Sequence, residues 1–371
     1  MTKQEIELSS VITDIAAGPF GSNLKVSSFV PVGFPIIDGA NLKGFTVTDN
    51  ITKFVTEEKA RSLSRSIAKR GDVIVTISGT LGQIAYIPEN SKYQEYLCSQ
   101  RQFRVTFDSN KVYVPYLVFY FHTYEGQHKI LEFANQTGVP ALSQPLKNFR
   151  KIRMVLPDIV EQKRVAKIIE DINKKIETNN LINDNLQQQV QAIYHLQFIT
   201  NAKSTWPMGY LSDLVKVKYG KDHKNLSDGN YPVYGSGGIM RHVERPLYEK
   251  ESVLIPRKGT LNNVIYVNQP FWSVDTMFYT EMRLPNIAKF VYHFIKSKNL
   301  ESLNAGSAVP SMTTAILNAM EVRIPPSTVL EQFETTVSPF YEVIQKHNKQ
   351  IEKLSEIRDT LLPKLISGQL D

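Results

Sequence analysis

TGVPALSQPLKNFRKIRMVLPDIVEQ, residues 137–162, returns 170 positions later as SAVPSMTTAILNAMEVRIPPSTVLEQ, residues 307–332. The two stretches align Val139 with Val309, Pro140 with Pro310, Asn148 with Asn318 and Arg153 with Arg323. Each closes on a Glu-Gln pair, Glu161-Gln162 and Glu331-Gln332. Nearer the N-terminus, GDVIVTISGTLGQIAYIPE (71–89) parallels ESVLIPRKGTLNNVIYVNQ (251–269) at a shift of 180. Here Gly79-Thr80-Leu81 falls on Gly259-Thr260-Leu261, and Tyr86 on Tyr266. Earlier still, Thr13-Asp14-Ile15 resembles Ser212-Asp213-Leu214. Collinear agreement at this many anchors is the signature of an internal duplication, and the changing shift is what loop insertions and deletions produce.

Both repeats have one internal order. Short β-branched and aromatic runs come first: Asp72–Ile77, Ile84–Ile87 and Phe103–Phe107, echoed by Ser252–Ile255, Val264–Val267 and Met277–Thr280. A helix is predicted over Val114–His122 and again over Ala288–Ser297. Proline then marks the end of each lobe, at Pro157 and at Pro325-Pro326, ahead of a long helical segment. From Glu161 to Phe198 there is neither Pro nor Gly, and apolar residues recur at three-and-four spacing through Val165, Ile168, Ile169, Ile172, Ile176, Leu186, Val190 and Ile193. The segment from Glu331 to Ile366 repeats this with Phe333, Val337, Phe340, Ile344, Ile351, Leu354, Leu361 and Leu365. A 38-residue helix is about 57 Å long.

Both seams turn polar at the middle, at Asn179, Asn180 and Asn183 in one and His347 and Asn348 in the other. An antiparallel pairing brings these centres together. It sets Ile168 against Leu362, Ile176 against Leu354, Leu186 against Ile344, Val190 against Phe340 and Ile193 against Val337, with Ile172 opposite Arg358 the one mismatch. A polar layer in an apolar seam fixes register. The expected fold is therefore α+β. Two mixed, strand-rich domains (1–157 and 201–326) are separated by two long antiparallel coiled-coil helices (158–200 and 327–371), an internal duplication with pseudo-twofold symmetry.

With 371 residues, 42% of them hydrophobic and 10% aromatic, the chain can bury sizeable cores. Its single cysteine, Cys98, excludes an internal disulfide framework and any multi-cysteine zinc site. No export signal is visible in MTKQEIELSSVITDI, and the densest apolar run, Tyr116–Phe121, is far too short to span a membrane, so a soluble, cytoplasmic protein is expected. The net charge of +7 is unevenly held. Residues 1–157 carry 18 Lys+Arg against 13 Asp+Glu, and residues 201–326 carry 15 against 10, while both helical segments are slightly acidic. Two basic globular blocks suit a polyanion, because each phosphate neutralised releases condensed counterions.

Three stretches resemble the specificity subunit of Type I restriction–modification systems: LPDIVEQKRVAKIIEDINKKIETNN (156–180), the Gly-Thr strand pair of each lobe, and the C-terminal IRDTLLPKLISGQLD (357–371). One departure is visible, since Lys163-Arg164 after the first Glu-Gln becomes Phe333-Glu334 after the second. The resemblance implies a non-catalytic subunit of a restriction endonuclease–adenine-N6 methyltransferase complex. Each lobe would bind one half of a bipartite, asymmetric site in double-stranded DNA. The helices would set the spacer and dock two methyltransferase subunits, with motor–nuclease subunits joining through that methyltransferase core. S-adenosylmethionine, ATP and Mg²⁺ would belong to those partners, leaving no cofactor on this chain. Two other readings stand beside it: a recognition subunit serving a fused methyltransferase–nuclease of another restriction type, and a coiled-coil adaptor without a DNA role.

Catalytic machinery is not found in the sequence. Gly18–Lys25 (GPFGSNLK) lacks the spacing of a phosphate loop, and Gly235–Gly238 (GSGG) reads as a turn. Pro157-Asp158, Glu161 and Lys163 mimic a nuclease motif but lie within one turn at a helix start, where acids cap the helix and meet its dipole. The seven histidines have no metal-ligand spacing, and no [DNS]PP[FYW] methyltransferase tetrad occurs. For DNA contact the candidates in lobe one are Lys53, Arg61, Arg65, Lys69, Arg70, Gly79, Thr80, Gln100, Arg101 and Arg104. Those in lobe two are Lys218, Lys221, His223, Lys224, Arg241, His242, Arg257, Lys258, Gly259 and Thr260. Arg forks onto guanine and Gln onto adenine, Lys more often meets phosphate, and a Gly-Thr pair offers a bare amide and a hydroxyl.

Overall fold

The computed structural model describes residues 4–135, 138–303 and 310–369. Thr137, Ser307–Val309 and the terminal Leu370-Asp371 of the sequence signatures lie outside the described residues. In the first lobe the β-branched and aromatic runs form β1 (Ile12–Ala17), β2 (Val73–Thr76), β3 (Ile84–Tyr86) and β4 (Gln102–Phe107). They pair antiparallel in the order β1-β4-β2-β3. The second lobe has β5 (Val215–Tyr219), β6 (Ser252–Pro256), β7 (Ile265–Val267) and β8 (Met277–Met282), antiparallel in the order β5-β8-β6-β7. Even the register repeats. Val73 faces Tyr86 and Ile74 faces Ala85, while Val253 faces Tyr266 and Leu254 faces Ile265. Val75 lies opposite Phe103 as Ile255 lies opposite Phe278. The repeat in the sequence is thus a repeat of strand pairing.

Each lobe also holds a second, mixed sheet built on a parallel pair, Phe34–Ile37 with Glu95–Cys98 in one and Tyr231–Gly235 with Trp272–Ser273 in the other. The helix Val114–Phe121 packs on the first main sheet and is buried all round, which its unbroken apolar composition requires. Ala288–Lys296 packs on the main sheet of the second lobe, with Ala288–Ile295 buried and Lys296 exposed.

The long helices are α1 (Ile159–His195), extended by a wider turn over Leu196–Thr200, and α2 (Ser327–Ser367). Asp158 starts α1, its carboxylate accepting the Val160 and Glu161 N–H groups at 3.1 and 3.0 Å. This is the capping role expected of that acid. By its contacts the chain divides into two units, Met1–Thr178 with Gln350–Asp371, and Asn179–Lys349. The boundary falls inside both helices. In the first unit Val165, Ala166 and Ile169 of α1 share the core with Leu362 and Leu365 of α2. In the second, Val190 and Tyr194 of α1 share theirs with Phe333 and Val337. The helices are antiparallel in each unit, and the expected register holds: Asn183 bonds His347 at 2.9 Å and Asn348 at 2.9 Å. Asn179 and Asn183 are buried, whereas Asn180 is exposed. The mismatched Arg358 turns to Asn173 at 3.2 Å and lies over the Phe45 ring.

One sequence match is not a structural one. Gln162 is fully buried, accepting the Tyr113 N–H and donating to the carbonyls of Lys111 and Pro157, while Gln332 is exposed. The inward-facing residues Gln162, Val165 and Ile169 correspond to Leu330, Phe333 and Val337, a shift of 168 rather than 170. That explains the departure at the second helix start. Phe333 packs among Tyr194 and Phe198, and Glu334 pairs with the buried Lys289.

Candidate nucleic-acid interface

In each lobe the fold brings together two anchors that lie far apart in sequence. In lobe one the Gly79 N–H donates to the Pro140 carbonyl at 3.0 Å, Ser78 bridges Ala141, and the Leu142 N–H donates to the Ile77 carbonyl at 2.8 Å. In lobe two Lys258 bridges Ser311 and the Met312 N–H donates to the Arg257 carbonyl at 2.9 Å. The Ser78–Ala141 bridge and the Leu142–Ile77 bond thus recur at the two sequence shifts as Lys258–Ser311 and Met312–Arg257. Gly79 and Gly259 both take a positive φ, +96° and +88°, which a side chain would strain. The turn is held by an amide that sequence reasoning did not single out. Gln83 Nε2 donates to the Gly39 carbonyl at 3.0 Å, and its counterpart Asn263 Nδ2 donates to the Ser236 carbonyl at 2.6 Å. Their alignment at a shift of 180 was the available signal.

Beside the first Gly-Thr turn lies an open cleft of about 570 Å³. Lys53, Gly79, Thr80, Gln100 and Arg101, five of the sequence candidates, line it together with apolar Leu24, Val26 and Phe29. Gln100, Arg101 and Thr80 are exposed, and Lys53 is held by Asp38 at 2.6 Å. Beneath them Gln102 is buried and bonded to Ser99, which fixes the floor. In lobe two Lys258, Gly259 and Thr260 are exposed on the matching turn, which abuts Ser236 of the GSGG hairpin turn. Arg257 is aimed by the Asp275 carbonyl at 3.0 Å and stacks over Tyr219. Lys221 and Lys224 are exposed and His223 half-buried on the loop after β5, whose start is tied to the Ser273 carbonyl.

Other candidates are engaged elsewhere. Arg104 sits inside the main sheet at 9% exposure, paired with Asp14 at 2.6 Å and donating to the Arg65 carbonyl. The pair holds the Asp14 carboxyl below its ordinary range. Its place is structural, because an arginine on a strand points into whichever face the register dictates. Arg70 closes its own loop on the carbonyls of Ser91 and Tyr93, and Arg241 binds Leu226 O and Asp228. Lys69 and Arg61 share Glu95, and Lys218 faces Glu281. Arg65 and His242 are exposed surface residues. Cys98 is buried, which pushes its thiol up to about 12 and keeps it protonated. Among the described residues no cluster of His, Cys, Asp or Glu could hold a metal, and no helix is long and apolar enough to cross a membrane.

The sequence matches the Type I restriction modification DNA specificity domain twice, over residues 32–188 and 203–356. The chain belongs to the Type I restriction–modification specificity-subunit family. This specificity subunit is 21% identical over 359 residues to the Type I restriction enzyme MjaIX specificity subunit of Methanocaldococcus jannaschii, covering 85% of this chain and 81% of the relative. A shorter match, 25% identical over 122 residues, is to the Type I restriction enzyme EcoprrI specificity subunit of Escherichia coli, covering 30% of each chain. The fold is similar to the crystal structure of a Type I restriction–modification S subunit from M. genitalium, at TM-score 0.60 and 16% identity, over 98% of this chain and 96% of the other.

Proposed function

We propose that this specificity subunit reads a bipartite, asymmetric duplex DNA target, one half with each lobe, and performs no chemistry itself. One observation carries the reading: the same scaffold occurs twice with different side chains at matched positions. The contact of the Gly-Thr turn with Ala141-Leu142 or Ser311-Met312, and its amide latch, recur in the two lobes, yet Ile77-Ser78 of one is Arg257-Lys258 of the other. A duplicated scaffold supplies two binding sites, and unlike side chains make them prefer unlike bases. In lobe one Gln100 and Arg101 read base edges while Lys53 meets phosphate, with Gly79 and Thr80 offering an amide and a hydroxyl. In lobe two Lys221, His223, Arg257, Lys258, Gly259 and Thr260 take the corresponding parts.

The domains act as 1–157 and 201–326, joined by helical spacers 158–200 and 327–371. The helices set the separation of the half-sites and dock two adenine-N6 methyltransferase subunits, through which motor–nuclease subunits join. S-adenosylmethionine, ATP and Mg²⁺ act on those partners, in the cytoplasm. The test is to incubate the full chain with labelled S-adenosylmethionine and mixed-sequence DNA, alone and with its methyltransferase. Binding by the complex that weakens steeply with salt, and methyl transfer only with the partner, is expected. Methyl transfer by the chain alone, or no DNA binding by the complex, would overturn the proposal.

A further inference from the structure

Strands β1 and β5 each run into a glycine with no room for a side chain. A Cβ on Gly18 would lie 1.8 Å from the Ser99 carbonyl oxygen, and one on Gly220 2.0 Å from that of Val274. Each glycine donates its N–H across the same gap, Gly18 to Gln102 O at 2.8 Å and Gly220 to Met277 O at 3.0 Å. Gln102 and Met277 already occupy one position of the duplicated sheet, opposite Thr76 and Pro256. Gly18 and Gly220 are therefore equivalent, and the residues that follow them form one loop in two versions.

The versions differ in kind. After Gly220 the chain reads Lys221-Asp222-His223-Lys224, a basic loop that belongs to the DNA-contact set of lobe two. After Gly18 it reads Pro19-Phe20-Gly21-Ser22, with no cation before Lys25. Phe20 instead stands 82% exposed. The Asn23 N–H donates to the Phe20 carbonyl at 2.8 Å, closing a short turn. Gly21 lies against the wall of the cleft, where a Cβ would be 2.6 Å from Gln100 Oε1. Leu24 and Val26 continue the loop along that wall. An aromatic ring kept in water beside a cleft with Lys53 and Arg101 suits an occupant that is apolar at the point of contact and anionic around it. The major-groove edge of DNA has one such point, the thymine C5-methyl, flanked by phosphates.

We propose that the Gly18–Lys25 loop reads bases, and that Phe20 packs on the C5-methyl of a thymine in the half-site bound by lobe one. This rests on the proposed reading that lobe one binds DNA. The matched loop of lobe two works by charge where that of lobe one works by apolar contact. Once the half-site is mapped, each of its thymines is replaced in turn by uracil, which removes only the methyl group. Each duplex is titrated with the subunit–methyltransferase complex. One uracil position should weaken binding by about 4-fold, roughly the contribution of one buried methyl group. Phe20→Ala should lose a similar factor on the thymine duplex and be indifferent to that uracil, with its salt slope unchanged. Lys221→Ala/Lys224→Ala should lower the slope by about 1–2. A uracil penalty that persists in Phe20→Ala, or a half-site in which no uracil matters, overturns the proposal. If Lys53→Ala/Arg101→Ala also leaves binding unchanged, it is DNA contact by lobe one that has failed, not the loop assignment alone.

Discussion

Lys289 is 5% exposed, and its ammonium group is paired with Glu334 at the start of α2, lies 3.5 Å from Glu251, and sits over the rings of Tyr266 and Tyr341 at 5.4 and 5.5 Å. Lys289→Met keeps the volume of the stem and removes the charge. It leaves the Glu334 carboxylate, 15% exposed, without its cation. Removing one partner of a buried pair costs about 3–5 kcal/mol. Both tryptophans, Trp206 and Trp272, lie in the second unit, so their fluorescence follows that unit's unfolding. With a urea dependence of about 2 kcal/mol per M, the midpoint should fall by roughly 2 M. Lys289→Met/Glu334→Leu should recover most of that loss, because no stranded charge remains. A single variant shifted by less than about 0.5 M, or a double variant worse than the single, would refute the reasoning.

The buried His293 bonds Gln191 through Nδ1 and the Tyr341 hydroxyl through Nε2, both at 2.8 Å, and burial pushes its pKa down to about 3. The folded state then refuses a proton that the unfolded chain takes up near pH 6.5, so stability is level above that pH. It should fall by about 2 kcal/mol by pH 5 and keep falling towards pH 3; urea melts at pH 7.5 and 5, with His293→Gln flattening the difference, check this. Arg257→Ala/Lys258→Ala should weaken binding, lower the salt slope by about 1–2 and relax base preference in the half-site bound by lobe two alone, read by titrating target variants at several salt concentrations. One heptad inserted after Asn183 and another after Lys346 lengthens each helix by about 10.5 Å, roughly 3 base pairs. Methylome sequencing should then show the same half-sites with a spacer longer by about 1–3 pairs.

The long helices and the main sheet of each lobe were legible because their signals are local. A heptad seam and an alternating run are written in consecutive residues, and duplication doubled each of them. The second sheets were not legible. Their parallel pairs join Ile36 to Leu97 and Val233 to Trp272, short segments far apart in sequence with no periodicity of their own. The Glu-Gln match misled for a related reason: identity of letters at 161–162 and 331–332 hid a two-residue change in which helix face turns inward. Among the site candidates, residue type chose Arg101 and Arg104 equally. Only the strand register separates them, setting Arg101 on the cleft and Arg104 in the sheet. Phe20 escaped because a search for cations passes over an exposed ring.

If each lobe specifies its own half of the target, exchanging one lobe changes one half alone. Replacing residues 1–157 with the matching lobe of a relative of different specificity, in cells that carry the methyltransferase, tests it most directly by methylome sequencing. One half-site should change while the other half and the spacer stay as they were. A methylome in which both halves change together, or neither does, would contradict it.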